Sequence, residues 1–179
     1  MNPIDIIDKY YNEQKELRNI LVTHSEQVAN RALKIIDNKP QLGIDRNFIY
    51  EAAMLHDIGI FLCDAPNIFC FGTHHYIEHG YLGAEILRKE GLPQHALIAE
   101  RHTGTGITME QIEMDDLPIP VGNYVPVSIE EELICYADKF YSKSHINEEL
   151  SLSTVRSNLW RYGFESVQRF DNWHKKFEE

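Results

Sequence analysis

The stretch Ala52-Ala53-Met54-Leu55-His56-Asp57-Ile58-Gly59 constrains this 179-residue chain more than any other. An apolar helical run ends there in an adjacent histidine and aspartate, followed by glycine. Imidazole and carboxylate are both good ligands for divalent Mn, Fe, Co, Ni or Zn. Consecutive helical residues diverge by about 100°, yet near a helix end both can reach one ion. Gly59 suits the position just past a helix C-terminus, where the chain turns away. A lone His-Asp pair also fits a structural role, the carboxylate merely orienting the imidazole, so the rest of the chain has to decide.

Periodicity places further polar residues on apolar helical faces. Ile4 to Lys39 reads as two consecutive helices or one broken one. Val28, Ala29, Ala32, Leu33, Ile35 and Ile36 form its apolar stripe, with His24 one turn before Val28. A turn at Asn38-Lys39-Pro40 and Gly43 leads to Asp45, the expected N-cap of a helix running through Asp57, on which Ile49, Ala52, Ala53 and His56 share a face. Cys63 to His75 reads as a loop and a candidate lid. Helices follow from about Tyr76 to Glu90, with His79, Gly83 and Ile86 on one face, and from Pro93, with Ile98 and His102 one turn apart. Thr103 to Val127 holds too many glycines and prolines for a long element; one short helix is expected around Thr108 to Met114. Ser128-Ile129-Glu130-Glu131 reads as a capping box that opens a helix through Tyr141. Ile134, Asp138 and Tyr141 share a face there, and a carboxylate on an apolar face needs a partner. Ser151 to Phe177 reads as one or two amphipathic helices broken near Gly163. Its aromatics Trp160, Phe164, Phe170, Trp173 and Phe177 are taken as core or as the face of a homodimer.

With few strand patterns, the expected fold is all-α, a compact helical bundle in one domain spanning 1–179. No run approaches the about 18 apolar residues that span a bilayer, so no membrane association is expected. The N-terminus shows no secretory signal pattern, and the three cysteines Cys63, Cys70 and Cys135 are an odd count without C-x-x-C. Buried thiols and a cytoplasmic location follow as expectations. A net charge of −11 repels a nucleic-acid polymer. It leaves room for a small phosphorylated substrate where a metal ion reverses the local field.

Six inward polar residues thus collect in one helical chain: His24, His56, Asp57, His79, His102 and Asp138. Left unpaired, buried polar groups cost roughly 1 to 3 kcal/mol each. Metal coordination satisfies them jointly. Their order, H, HD, H, H, D, resembles the HD-domain metal-dependent phosphohydrolases of the HDIG type. The likeness covers about Leu21 to Tyr141 and extends to the contexts His24-Ser25-Glu26-Gln27-Val28-Ala29, His79-Gly80-Tyr81-Leu82-Gly83-Ala84, Arg101-His102-Thr103-Gly104-Thr105-Gly106-Ile107 and Glu131-Glu132-Leu133-Ile134-Cys135-Tyr136-Ala137-Asp138-Lys139. The helices at 151–178 would pack on that core.

The resemblance implies one metal held by His24, His56, Asp57 and Asp138, and a second held by His79 and His102 with Asp57 as the bridge. Two such ions about 3.5 to 4 Å apart lower the pKa of a water to give hydroxide at neutral pH and clamp a phosphoryl group. Asp57, His79 and His102 then count as catalytic. His74 and His75 in the lid, and the basic Arg101 and Lys139 beside the ligands, are candidate phosphate contacts. The symmetrical dinucleoside tetraphosphate hydrolases of this superfamily usually carry a lysine shortly after the His-Asp pair, where Gly59-Ile60-Phe61-Leu62 stands here. The G-Y-P signature of cyclic dinucleotide phosphodiesterases is also missing downstream of His79. The expected activity is hydrolysis of a phosphomonoester or phosphodiester of a nucleotide or other small phosphorylated metabolite. Two readings compete with it: a di-iron oxygenase, as in relatives with similar six-ligand sites, and a non-catalytic metabolite-binding protein with a structural metal.

Overall fold

The computed structural model describes residues 1–179, apart from the side chain of Asn147. Two helices open the chain, α1 (Pro3–Tyr11) and α2 (Lys15–Asn38), followed by α3 (Arg46–Leu55). The Asp45 side chain caps α3, accepting from the Asn47 backbone N–H at 2.8 Å. His56 sits at the α3 C-cap, so the helix ends one residue before the His-Asp pair is complete.

The segment read as a lid loop contains a small hairpin, β1 (Asp64–Ala65) against β2 (Cys70–Phe71), closed by a 3₁₀ turn at Pro66–Ile68. Phe69 leaves that turn at φ 61°, a conformation that a bulky residue adopts only under constraint. The next expected helix starts late: Tyr76–Glu78 is a 3₁₀ turn, and α4 is His79–Lys89. Then come α5 (Pro93–Arg101) and the short α6 (Met109–Met114).

Helix α7 (Ile129–Asp138) stops earlier than its apolar pattern suggests, because the chain turns into a second hairpin, β3 (Tyr141–Ser142) with β4 (His145–Glu149). At its start Ser128 accepts from the Glu131 N–H, but the Glu131 carboxylate takes the N–H of Val127 instead, so the expected capping box is shifted by one residue. The chain closes with α8 (Leu152–Leu159), a 3₁₀ turn at Trp160–Tyr162, Gly163 at φ 92° and α9 (Phe164–Phe177). The fold is helical, as the periodicity indicates, with two small hairpins added.

Two apolar clusters fill the interior. One gathers Val28, Ala32 and Ile35 of α2, Ile49 and Ala53 of α3, much of α7, and Val167, Phe170, Trp173 and Phe177 of α9. The other gathers Ile7 and Tyr11 of α1, Leu17 and Leu21 of α2, Met54 and Leu55 of α3, and residues of α4 and α5. Each fully buried aliphatic or aromatic side chain contributes about 1.5 to 3 kcal/mol. His24 falls between Leu21 and Val28, His56 follows Leu55, and His102 follows Ala99. The polar residues therefore lie along the seam between the clusters. Trp160 and Phe164, read with the core aromatics, lie on the surface instead, 57% and 61% exposed, because Gly163 turns them away from the α9 core face.

Candidate metal centre

The structure brings all six sequence-selected residues together, from α2 (His24), the end of α3 (His56, Asp57), the start of α4 (His79), the end of α5 (His102) and the end of α7 (Asp138). All are buried. Ligand atoms of His24, His56, Asp57 and Asp138 lie within 4.8 Å of one another, and so do those of Asp57, His79 and His102. Asp57 belongs to both groups. Its Oδ2 is 3.2 Å from His24 Nε2 and 3.0 Å from His56 Nε2. Its Oδ1 is 3.4 Å from His79 Nε2 and 3.2 Å from His102 Nε2.

Backbone contact sets this spacing. A Cβ on Gly59 would stand 2.3 Å from the His79 carbonyl oxygen, and one on Gly80 2.6 Å from that of Ala99. Gly59 itself has an ordinary φ of −84°. Its value here is therefore close approach of main chain to main chain, beyond the turn away from the helix end expected from sequence. Tyr11 adds a buried tether from α1, donating its hydroxyl proton to the Ile58 carbonyl at 2.8 Å. The His102 carbonyl is held from α7 by the Cys135 thiol at 3.3 Å and Lys139 Nζ at 3.0 Å.

The tautomers follow from the helix ends. His56, His79 and His102 each place Nδ1 on the carbonyl three residues earlier: Ala53 at 2.6 Å, Tyr76 at 2.5 Å and Ala99 at 2.7 Å. A carbonyl only accepts, so Nδ1 carries a proton in each ring and Nε2 is the atom turned to the site; at His79 and His102, whose pKa values are pushed down, Nε2 presents a lone pair, whereas at His56 a cation would take the place of a proton. His79 Nε2 and His102 Nε2 face each other at 3.1 Å, two acceptors with no proton between them. Both Asp57 oxygens and His56 Nε2 are buried without a hydrogen bond of good geometry. Lone pairs so arranged fit divalent cations, and the donor set of imidazole and carboxylate suits the transition metals.

Charge reinforces the fit. Burial alone would raise the pKa of Asp57, but the neighbouring positive charges of His56 and Lys143 hold it well below the usual carboxylate range. Burial is likewise outweighed at Asp138, by Lys139 and by the hydrogen bond with His24 at 2.9 Å. His56 runs the opposite way. Burial would lower its pKa, yet Asp57 and Asp138 push it up to about 9. His79 is driven down to about 3 by burial and by the proximity of His102, and burial lowers His102 as well.

The expected phosphate contacts divide. Lys139 lines the cavity that meets the site at Asp138, the one clustered residue in its lining, and places Nζ 2.7 Å from Asp138 Oδ2. Arg101 does not line the cavity: its Nη1 donates to both carboxylate oxygens of Glu131, at 2.9 and 3.1 Å. His74 is taken by Glu78 at 3.0 Å, and His75 caps the 3₁₀ turn with an exposed side chain; neither lines the cavity. Sequence reasoning missed Lys143. It sits in the β3–β4 turn, 12% exposed, with Nζ 2.6 Å from Asp57 Oδ2 and facing the Tyr76 ring. Burial disfavours its charge, but Asp57 more than compensates and raises its pKa. A hairpin too short to show strand alternation gave no signal for it.

The cavity beside Asp138 measures about 620 Å³, within the usual range for small-molecule sites. Its walls come from the β1–β2 hairpin, the β3–β4 hairpin, and the end of α8 with the following turn.

Known proteins place these features. The HD domain family profile matches residues 21–142, which include all six clustered residues. A tRNA (cytidine(56)-2′-O)-methyltransferase of Picrophilus torridus is 36% identical over 128 residues, 71% of this chain and 33% of that protein. The equivalent from Thermoplasma volcanium is 32% identical over 157 residues, 87% of this chain and 41% of the other. An uncharacterized protein of Methanocaldococcus jannaschii is 41% identical over 96 residues, 53% and 49% of the two chains. The chain thus spans between a third and a half of the length of these curated relatives. Among solved structures, the HD domain of the Listeria monocytogenes phosphodiesterase PgpH superposes with a TM-score of 0.55 at 16% identity, covering 94% of each chain, a likeness of fold. Profile, spacing and geometry agree that this chain belongs to the HD-domain family.

Proposed function

We propose that this protein is a metal-dependent phosphohydrolase acting on a small phosphorylated metabolite, with two divalent ions held by His24, His56, Asp57 and Asp138 on one side and by Asp57, His79 and His102 on the other. The observation that carries this reading is the division of Asp57: each carboxylate oxygen faces its own group of imidazole nitrogens, which is what a bridging ligand requires. What divalent cations supply at such a site is acidification of water and neutralisation of charge on a phosphoryl group.

The chain's own residues do the rest. Backbone carbonyls fix the Nδ1 proton of His56, His79 and His102, so each ring already turns Nε2 to the site. Lys139 and Lys143 put two ammonium groups at the cavity floor, where they draw in a phosphate and orient it toward Asp57 and Asp138. The chain's net charge of −11 disfavours polyanions, which supports a small substrate over a nucleic-acid chain. The methyl transfer named for two relatives belongs to proteins of which more than half lies outside the match.

Elemental analysis of protein purified without added metal, followed by a phosphate-release screen over phosphomonoesters and phosphodiesters, tests the reading. About two Mn, Co, Ni, Zn or Fe ions per chain and phosphate release abolished by His56→Ala support it. Iron with oxygen uptake and no phosphate release supports an oxygenase instead. Ligand binding without turnover under every metal supports a binding protein.

A further inference from the structure

The chain is strongly acidic, and its arginines are almost all spent on carboxylates. Arg18 pairs with Asp8, Arg31 with Glu149 and Glu178, Arg46 with Asp37, Arg88 with Glu85 and Glu100, Arg101 with Glu131, Arg156 with Asp171, and Arg169 lies within 4.0 Å of Glu165. Arg161 alone has no carboxylate partner among the described residues. It lines the cavity over Asp138, on the wall formed by Asn158 and Tyr162, while Lys139 and Lys143 occupy the floor. Its exposed guanidinium lies 4.8 Å from the centre of the Tyr162 ring, a contact that leaves its N–H fork free.

The position of this wall is built into the fold. Val155 and Leu159 of α8 are buried in the core and anchor the helix. Gly163 at φ 92° ends the 3₁₀ turn and keeps Trp160–Tyr162 from continuing into α9. The wall lies outside residues 21–142, the part matched to the family. Lys139 and Lys143 are each answered by a site carboxylate, Asp138 and Asp57, so Arg161 is the cavity cation whose charge no carboxylate among the described residues meets.

Resting on the phosphohydrolase reading, we propose that the substrate is a phosphorylated metabolite with a second anionic group, a carboxylate or a second phosphate, and that Arg161 binds that group while the phosphate to be cleaved lies at Lys139, Lys143 and the metal centre. Arg161 is thereby a specificity determinant: it selects bis-anionic over mono-anionic esters.

Equilibrium binding to the protein with its resident metal, measured by titration calorimetry on matched pairs, tests this. The pairs are 3-phosphoglycerate with glycerol 3-phosphate, 6-phosphogluconate with sorbitol 6-phosphate, and fructose 1,6-bisphosphate with fructose 6-phosphate. The first two pairs ask for a carboxylate and the third for a phosphate. The expected result is that the bis-anionic member of at least one pair binds roughly 10- to 100-fold tighter, that Arg161→Gln removes this advantage, and that Arg161→Lys restores part of it. Equal binding within all three pairs, or an advantage that persists in Arg161→Gln, overturns the proposal. Because the readout is binding, it is independent of turnover: a protein that releases phosphate from no ester refutes the hydrolase reading, and the pairwise comparison still decides the role of Arg161.

Discussion

The two ligand groups that meet at Asp57 are balanced in different ways. On the α2/α7 side two carboxylates are matched by the chain's own cations: Lys143 on Asp57, Lys139 on Asp138, and a His56 whose pKa is pushed up to about 9. On the α4/α5 side two imidazoles oppose their lone pairs at 3.1 Å, with pKa values pushed down and no cationic side chain between them. The first half is an electrostatically closed network into which a metal must compete. The second is held together chiefly by backbone and apolar packing, and only an external cation relieves its opposed acceptors.

The largest effect that tests this contrast is expected for Asp57→Asn. It removes the shared ligand, so both ions are lost and phosphate release drops by more than the roughly 10- to 100-fold typical of changes outside the ligand shell. Elemental analysis beside a phosphate assay checks it; one ion retained would show that the two halves are independent. His79→Ala comes next: the metal content falls from about two ions to one, and the α2/α7 group keeps its ion. Gly59→Ala follows, because its methyl group meets the His79 carbonyl. A cost of about 1 to 3 kcal/mol in thermal or denaturant unfolding is expected, together with weaker retention of the second ion than of the first. Lys143→Met is smaller in stability and distinct in kind. With its charge gone, KM for the phosphorylated substrate rises roughly tenfold, and the metal-free protein loses stability that added metal restores.

The smallest effect concerns a buried imidazole outside both groups. His95 packs against Phe48, and burial lowers its pKa below 6.5 despite Glu51 nearby. The unfolded chain then binds a proton that the folded chain refuses. Its contribution is therefore complete above pH about 6.5 and is lost as the pH falls below that value. In the metal-loaded protein, where the site imidazoles are occupied, His95→Gln should flatten the stability profile between pH 6.5 and 5. A profile unchanged by that substitution would assign the acid sensitivity to the site itself.

Much of this was legible in the residues, for identifiable reasons. Long helices such as α2 and α9 repeat their apolar stripe often enough to be read, and a histidine interrupting such a stripe, as His24 does, is conspicuous. Caps at Asp45 and Ser128 have local chemistry that needs no tertiary context. What escaped was set by contacts distant in sequence. Lys143 reaches Asp57 only because α7 stops at Asp138 and a two-strand hairpin redirects the chain. Arg101, adjacent in sequence to a ligand, does not line the cavity because Glu131 on α7 captures it. Tyr11 tethers Ile58 across 47 positions, and Phe164 shares the aromatic pattern of α9 yet lies at its exposed first turn. Spacing along one helix specifies a face; which partner covers that face is decided elsewhere.

The contact of Gly59 with the start of α4 has a further consequence. A Cβ on Gly83 would in turn stand 3.1 Å from the Gly59 nitrogen, so two strands of main chain lie against each other with no side chain between. A separation of that kind has no rotamers through which to relax. The distance from Asp57 to His79 behaves as a rigid gauge, indifferent to repacking of the surrounding core. Sequence drift can then remodel the cavity walls, and with them the choice of ligand, while the spacing between the two cation positions stays the same.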